Sequence, residues 1–204
     1  MKLKKKVLIT VGREYGSGGR VISEALGEKL SIPVFDKNII SIISKKHGYD
    51  EHALVNSDER LANPFFEPYS PYGTDTGSIS EKLFMLQAQI IKEEADKGSS
   101  IFIGRCANDV LRNYPDLVRI FIFAPKEAKI RRIMEREGLQ TEEQAAKLIK
   151  KTDKARRSYY QFYTDKKWGS PEGMDLLFNS ETFGIEGSCD FIIDFLKRKG
   201  YIED

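Results

Sequence analysis

Short apolar runs alternate with longer amphipathic stretches along the whole chain. Residues 6–12 contain Val7, Leu8, Ile9 and Val11; a run this short, with β-branched residues, predicts a buried strand. Residues 19–31 place Val21, Ile22, Ala25, Leu26 and Leu30 on one helical face. Ser31-Ile32-Pro33 breaks that pattern, and Val34-Phe35 predicts a second, short strand. Asp36 follows it, either as the cap of a helix over 37–47 or as a ligand contact. That helix turns Ile39, Ile40 and Ile43 inward and stops at Gly48. A weaker helical pattern covers 50–62. Residues 63–73 hold three prolines and four aromatics, which predicts a loop, packed on the surface or folded over a ligand.

The second half repeats the alternation. Ser78-Ile79-Ser80-Glu81 is a capping box opening a helix to about Lys97. Residues 100–104 predict a core strand, followed by a short helix, and 118–123 another strand. Pro125 starts a helix that ends at Glu137-Gly138. Thr141-Glu142-Glu143-Gln144 is a second capping box, and its helix runs to about Tyr163 with Ala145, Leu148, Ile149, Thr152, Ala155, Tyr159 and Phe162 at helical spacing. Residues 175–179 predict the last strand and 184 onward a closing helix. Strands alternating with helices imply an α/β fold of three layers, with a parallel sheet between helices. Ligands of such sheets bind where the strands end. Gly12–Arg20, Asp36 and Arg105 all fall at such ends.

Strand, glycine-rich turn and helix in succession form a phosphate cradle, because glycines let backbone N–H groups approach an anion at a helix N-terminus. The spelling departs from the usual phosphate-loop pattern G-x-x-x-x-G-K-[ST]. Counted from Gly12, the Gly-Lys places hold Ser17 and Gly18; the Gly-basic pair next to them is Gly19-Arg20, followed by Val21. Arginines recur at the expected ligand edge and on the later helices: Arg13, Arg20, Arg105, Arg131, Arg132, Arg136, Arg156 and Arg157. The planar guanidinium fork suits phosphate. Several have plain surface alternatives: Arg131 with Glu135, Arg157 with Asp153, Arg136 on a solvated face. Tyr159, Tyr160, Phe162, Tyr163 and Trp168 are either base-stacking or core aromatics.

The 204 residues suffice for one domain with a full core. Thirty-three basic against 31 acidic side chains give a net charge of +2, which argues against nucleic-acid binding and leaves room for a small anion met by local arginines. Cys106 and Cys189 are far apart, with no zinc spacing, and read as reduced thiols. Neither a signal peptide nor a membrane span is expected, so the expected location is the cytoplasm, with no membrane partner.

Gly12–Arg20, Phe35-Asp36-Lys37, Gly104-Arg105 and Asp153-Lys154-Ala155-Arg156-Arg157 together resemble the cytidylate-kinase-like family of P-loop nucleoside monophosphate kinases, over nearly the whole chain. The resemblance implies a P-loop kinase fold, an acceptor-side helical segment over 36–98 and a helical lid over about 125–165. It implies transfer of a phosphoryl group from ATP to a nucleoside monophosphate or another small acceptor, with Mg²⁺ held mainly through ATP and water. Gly12, Arg13, Gly16, Ser17, Gly18, Gly19 and Arg20 would bind the donor phosphates, with Arg20 in the place of the lysine. Asp36, Arg105 and Asp153 would hold the acceptor, and Arg20, Arg132, Arg156 and Arg157 would surround the moving phosphoryl group. The missing lysine and the missing Ser or Thr after it keep a second reading open: a nucleotide- or phosphometabolite-binding protein on a kinase fold that catalyses nothing.

Overall fold

Alternating side chains in the strands build two cores on opposite faces of one sheet. The structure is a computed structural model that describes residues 1–50, 52, 54 and 76–203. Five parallel strands, β1 (Leu8–Arg13), β2 (Val34–Phe35), β3 (Ser100–Ile103), β4 (Leu117–Phe123) and β5 (Leu176–Asn179), lie in the order β2-β3-β1-β4-β5. On one face Ile9, Val11, Ile101, Ile103, Val118, Ile120 and Ile122 meet α1 (Gly19–Leu30) through Ile22, Leu26 and Leu30. The closing helix α7 (Ser180–Arg198) adds Cys189, Ile192, Ile193 and Leu196 to the same core. On the other face Leu8, Phe35 and Phe102 meet α2 (Asn38–His47), α3 (Thr76–Lys97) and the short α4 (Ala107–Val110). This is the three-layer α/β architecture of the P-loop kinases. Burial on both faces explains why the strands read as continuous apolar runs.

A third, smaller core lies outside the sheet. α5 (Lys126–Glu137) and α6 (Glu142–Thr164) pack on each other through Ile130, Ile133, Ala145 and Ile149, and Tyr15 of the glycine loop joins them. Both halves of the capping box at Thr141 and Gln144 are made, and Gly138 closes α5 in a left-handed conformation, φ 65°.

Three local expectations change. The N-cap of α2 is Lys37, without a side-chain cap bond; the Asp36 carboxylate faces Arg13 and Arg20 instead, so charge pairing takes it from the helix end. The last helix begins at Ser180, where the Asn179 side chain accepts from the Glu181 N–H, and Gly184 (φ 68°, ψ −178°) kinks it at the place expected for its start. Phe162 is 63% exposed, while Tyr159 and Tyr163 pack on the α2–α3 core. The helical pattern expected over 50–62 and the loop over 63–73 lie outside the described residues. α3 begins at Thr76, and the side chains of its capping box at 78–80 also lie outside them. Among the described residues, no helix is long and apolar enough to cross a membrane.

Candidate active site

The end of β1 runs into the glycine loop, and the first turn of α1 leaves it. Gly18 is the N-cap, in a left-handed conformation (φ 78°) without a side-chain cap, so the loop delivers backbone N–H groups and the positive helix end to the same place. Ser17 is fully buried; its hydroxyl donates to the Glu14 carbonyl at 2.8 Å and accepts from the Gly19 N–H at 3.3 Å, which fixes the turn. Gly16 (φ 83°) is needed for closeness as well as backbone angle, since a Cβ there would stand 3.0 Å from both Ile133 Cγ1 and the Lys129 carbonyl of α5.

Beside the loop opens a cleft of about 910 Å³, lined by residues from β1, α1, the end of β2, the turn after β3, α6 and the segment at 168–174. Gly12, Arg13, Gly16, Gly18, Gly19, Arg20, Asp36, Arg105 and Arg156 all face it. Seven basic side chains (Arg13, Arg20, Lys37, Arg105, Arg136, Lys151, Arg156) stand against four acidic ones (Glu14, Glu24, Asp36, Glu137). The whole chain carries only +2, so its positive excess is concentrated here. A positive, partly desolvated cleft is an anion site.

Arg13 and Asp36 form its inner pair, 3.5 Å apart and both largely buried. Burial first, and then the neighbouring Arg156, push the Arg13 guanidinium down to about 9, although Asp36 opposes the shift. Arg20 lies nearer the solvent, 2.9 Å from Glu24 and 3.6 Å from Asp36, and its hydrogen bond to Glu24 raises its pKa. Arg105 sits on a tight turn in which Gly104, Arg105 and Cys106 are successively left-handed, with φ 71°, 55° and 54°. Such a conformation costs a non-glycine residue roughly 1–2 kcal/mol. It reverses the chain directly after β3 and carries Arg105 to the cleft.

The α5–α6 pair grips the loop from its other side. The Tyr15 N–H donates to Asp153 Oδ1 at 2.7 Å, and Lys129 Nζ lies 2.8 Å from Glu14 and 3.6 Å from Asp153. Arg156 donates to the Arg13 carbonyl at 3.0 Å, and burial lowers its pKa. Tyr15 is flanked by the guanidinium groups of Arg136 (4.6 Å) and Arg156 (5.4 Å) and donates its hydroxyl to Glu137. Burial raises the Asp153 carboxyl above its ordinary range, although Tyr15 N–H and Lys129 oppose it. Arg132 donates to the Gly16 carbonyl, to Ser180 and to Glu181, while Arg131 pairs with Glu181 rather than Glu135. Arg157 is exposed, its guanidinium 6.0 Å from the ring of Trp168, which does line the cleft. Thus Arg132, Asp153, Arg157 and Ser17 do not face the cleft; the first two and Ser17 brace its loop. Tyr15, Glu14 and Lys129 were not among the expected site residues. Their contacts join positions more than a hundred residues apart, which no local spacing signals.

A kinase implies Mg²⁺. The position after Gly18-Gly19, where a Ser or Thr hydroxyl would meet the ion, holds Arg20. Glu14, Asp36 and Asp153 each lie against a cationic side chain, and no cluster of three or more His, Cys, Asp or Glu occurs among the described residues. These side chains do not make a Mg²⁺ site.

A model of the cytidylate kinase-like family matches residues 8–182. The cytidylate kinase of Archaeoglobus fulgidus is 26% identical over 197 residues, covering 94% of this chain and 95% of the relative. The crystal structure of an uncharacterized protein from Eubacterium ventriosum is 27% identical, covers 94% of this chain and 99% of its own, and superposes with a TM-score of 0.73. Shikimate kinase from Bacteroides thetaiotaomicron shares the fold at 12% identity and a TM-score of 0.56, over 94% of this chain and 98% of its own.

Proposed function

The chain belongs to the cytidylate kinase-like family, and from that premise we propose that its cleft transfers a phosphoryl group from ATP to a nucleoside monophosphate. The observation that carries this reading is the convergence of Arg13, Arg20, Arg105 and Arg156 on one cleft beside a glycine loop, although they come from four separate elements. Phosphoryl transfer needs little covalent help from a protein; it needs cations around the transferred group and donors that keep both ends in line. The glycine loop and the N-terminus of α1 receive the donor phosphates. Arg105 and Asp36, at the ends of β3 and β2, face the acceptor. Arg156 approaches from α6, and the α5–α6 pair closes over the site and excludes water. Arg132 and Asp153 hold the loop in shape, and Arg157 steadies Trp168 at the rim. Any divalent ion enters with the nucleotide, coordinated by phosphate and water.

The test is ATP consumption by the full chain against a panel of nucleoside monophosphates and small hydroxyl acceptors. Turnover with at least one monophosphate is expected. No turnover with any acceptor, from folded protein that still binds ATP, would leave the non-catalytic binding reading in its place.

A further inference from the structure

The phosphate loop departs from its usual pattern at Arg13, Gly19 and Arg20, and the first two departures are coupled in the structure. α1 begins at Gly19, which sets the register. Gly18-Gly19 then take the Gly-Lys places, and the first glycine of the pattern, five residues before Gly18, is Arg13. An arginine stands where glycine is usual, and a glycine stands where lysine is usual.

These two positions touch. A Cβ added to Gly19 would lie 2.7 Å from Cβ of Arg13, closer than real Cβ atoms come, and 3.2 Å from its Cγ. The Arg13 side chain therefore already occupies the space that a residue 19 side chain would need at the head of α1. Beyond it, the guanidinium presses on Gly104, where a Cβ would collide with Nη1, and is held by Asp36 at 3.5 Å. The side chain lines the same cleft as Gly16, Gly18 and Gly19.

We propose that Arg13 is the loop's phosphate-binding cation, in place of the lysine: it enters from the end of β1 rather than from the first turn of α1. The inference rests on the kinase reading and deepens it. Gly19 is then the complement of Arg13, small because the arginine's Cβ and Cγ cross it, while Gly104 serves the left-handed turn, φ 71°, over which the guanidinium lies. Asp36 keeps the fork extended until phosphate oxygens supply a second set of acceptors. Arg20, paired with Glu24 and on the outer side, has the secondary role.

Isothermal titration calorimetry with ATP tests this in the full chain. Arg13→Gln keeps the Cβ and Cγ that cross Gly19 and loses the charge; it should weaken ATP binding roughly 10- to 100-fold, the size of one or two charge-assisted contacts. Gly19→Lys alone should also weaken binding, because its side chain meets Arg13. The double variant Arg13→Gly, Gly19→Lys restores the ordinary glycine and lysine, with Arg20 left in the Ser/Thr place, and should bind ATP better than either Arg13→Gly or Gly19→Lys alone. Circular dichroism on each variant separates loss of binding from loss of fold. If Arg13→Gln is folded and binds ATP like the parent, or if the double variant is no better than its singles, the inference is wrong while the kinase reading stands. If the parent binds no ATP, both fail together.

Discussion

Asp36 sits at the end of a two-residue strand with guanidinium groups on both sides, at 3.5 Å and 3.6 Å. Replacing it by Asn preserves its shape but removes the charge that allows Arg13 and Arg20 to approach. Without ligand, Asp36→Asn should therefore cost roughly 1–3 kcal/mol, the usual effect of leaving a largely buried charge short of a partner. Saturating ATP should reduce that deficit, because phosphate oxygens then take over the carboxylate's part. Thermal melts with and without ATP measure both; an equal loss in the two conditions would mean that Asp36 supports the fold only. Arg105 gives the complementary case on the acceptor side. Arg105→Met should raise the acceptor KM about tenfold, the loss of one charged contact, and leave the ATP dissociation constant nearly unchanged. Steady-state kinetics paired with calorimetry separates the two effects. The sequence shows that an acid follows β2 and an arginine follows β3. It does not show that Asp36 prefers Arg13 to the helix end, since that choice depends on β1 and β2 lying two strands apart in the sheet, with Gly104 at the end of the strand between them.

At the scale of elements, what is encoded locally is also what can be read locally. The capping box of α6, the glycine stops of α2 and α5, and the apolar strand runs each use neighbours within a few residues, and all appear in the structure where the pattern puts them. Thr141→Ala removes one half of that capping box and should cost about 1 kcal/mol of stability, measured by urea unfolding, with ATP affinity unaffected because Thr141 does not line the cleft. The contacts that shape the site are of another kind. Lys129 lies on the same helix as Arg132 and Arg136, and helical spacing makes it one more solvated lysine; in the structure it is largely buried between Glu14 and Asp153. Arg131 has Glu135 one turn away but reaches Glu181 on α7. Arg13 acquires its importance only when its Cβ and Cγ are seen against Gly19, six residues on and across the loop, a contact that no spacing signals. Spacing within an element is legible from sequence, whereas the partners of charged side chains depend on which elements meet.

For the whole molecule, the α5–α6 pair meets the sheet body at the glycine loop, at Ser180 and Glu181 of α7, and where Tyr159 and Tyr163 pack on the α2–α3 core. The pair's own core is small, built from Ile130, Ile133, Ala145 and Ile149, and Lys129 ties it to the loop. Lys129→Met would leave the Glu14 and Asp153 carboxylates together without their cation. The expected cost at neutral pH is about 3 kcal/mol, as for removing one partner of a buried pair. The pH dependence has a definite sign. Burial already raises the folded-state value of Asp153 above its unfolded one, so the folded protein binds the extra proton and Asp153 contributes least to stability when ionised. Losing Lys129 raises that value further. The deficit of the variant relative to the parent should therefore be largest at neutral pH and shrink as pH falls through the raised Asp153 value, where protonation removes the repulsion with Glu14. The same substitution loosens the grip on the Tyr15 N–H, so amide exchange should accelerate across α5 and α6 while the β1 and β4 amides at the sheet centre keep their protection. Exchange that accelerates equally in sheet and helix pair would mean that the molecule opens as one body, and that closure of α5–α6 over the cleft has no independent hinge at the loop.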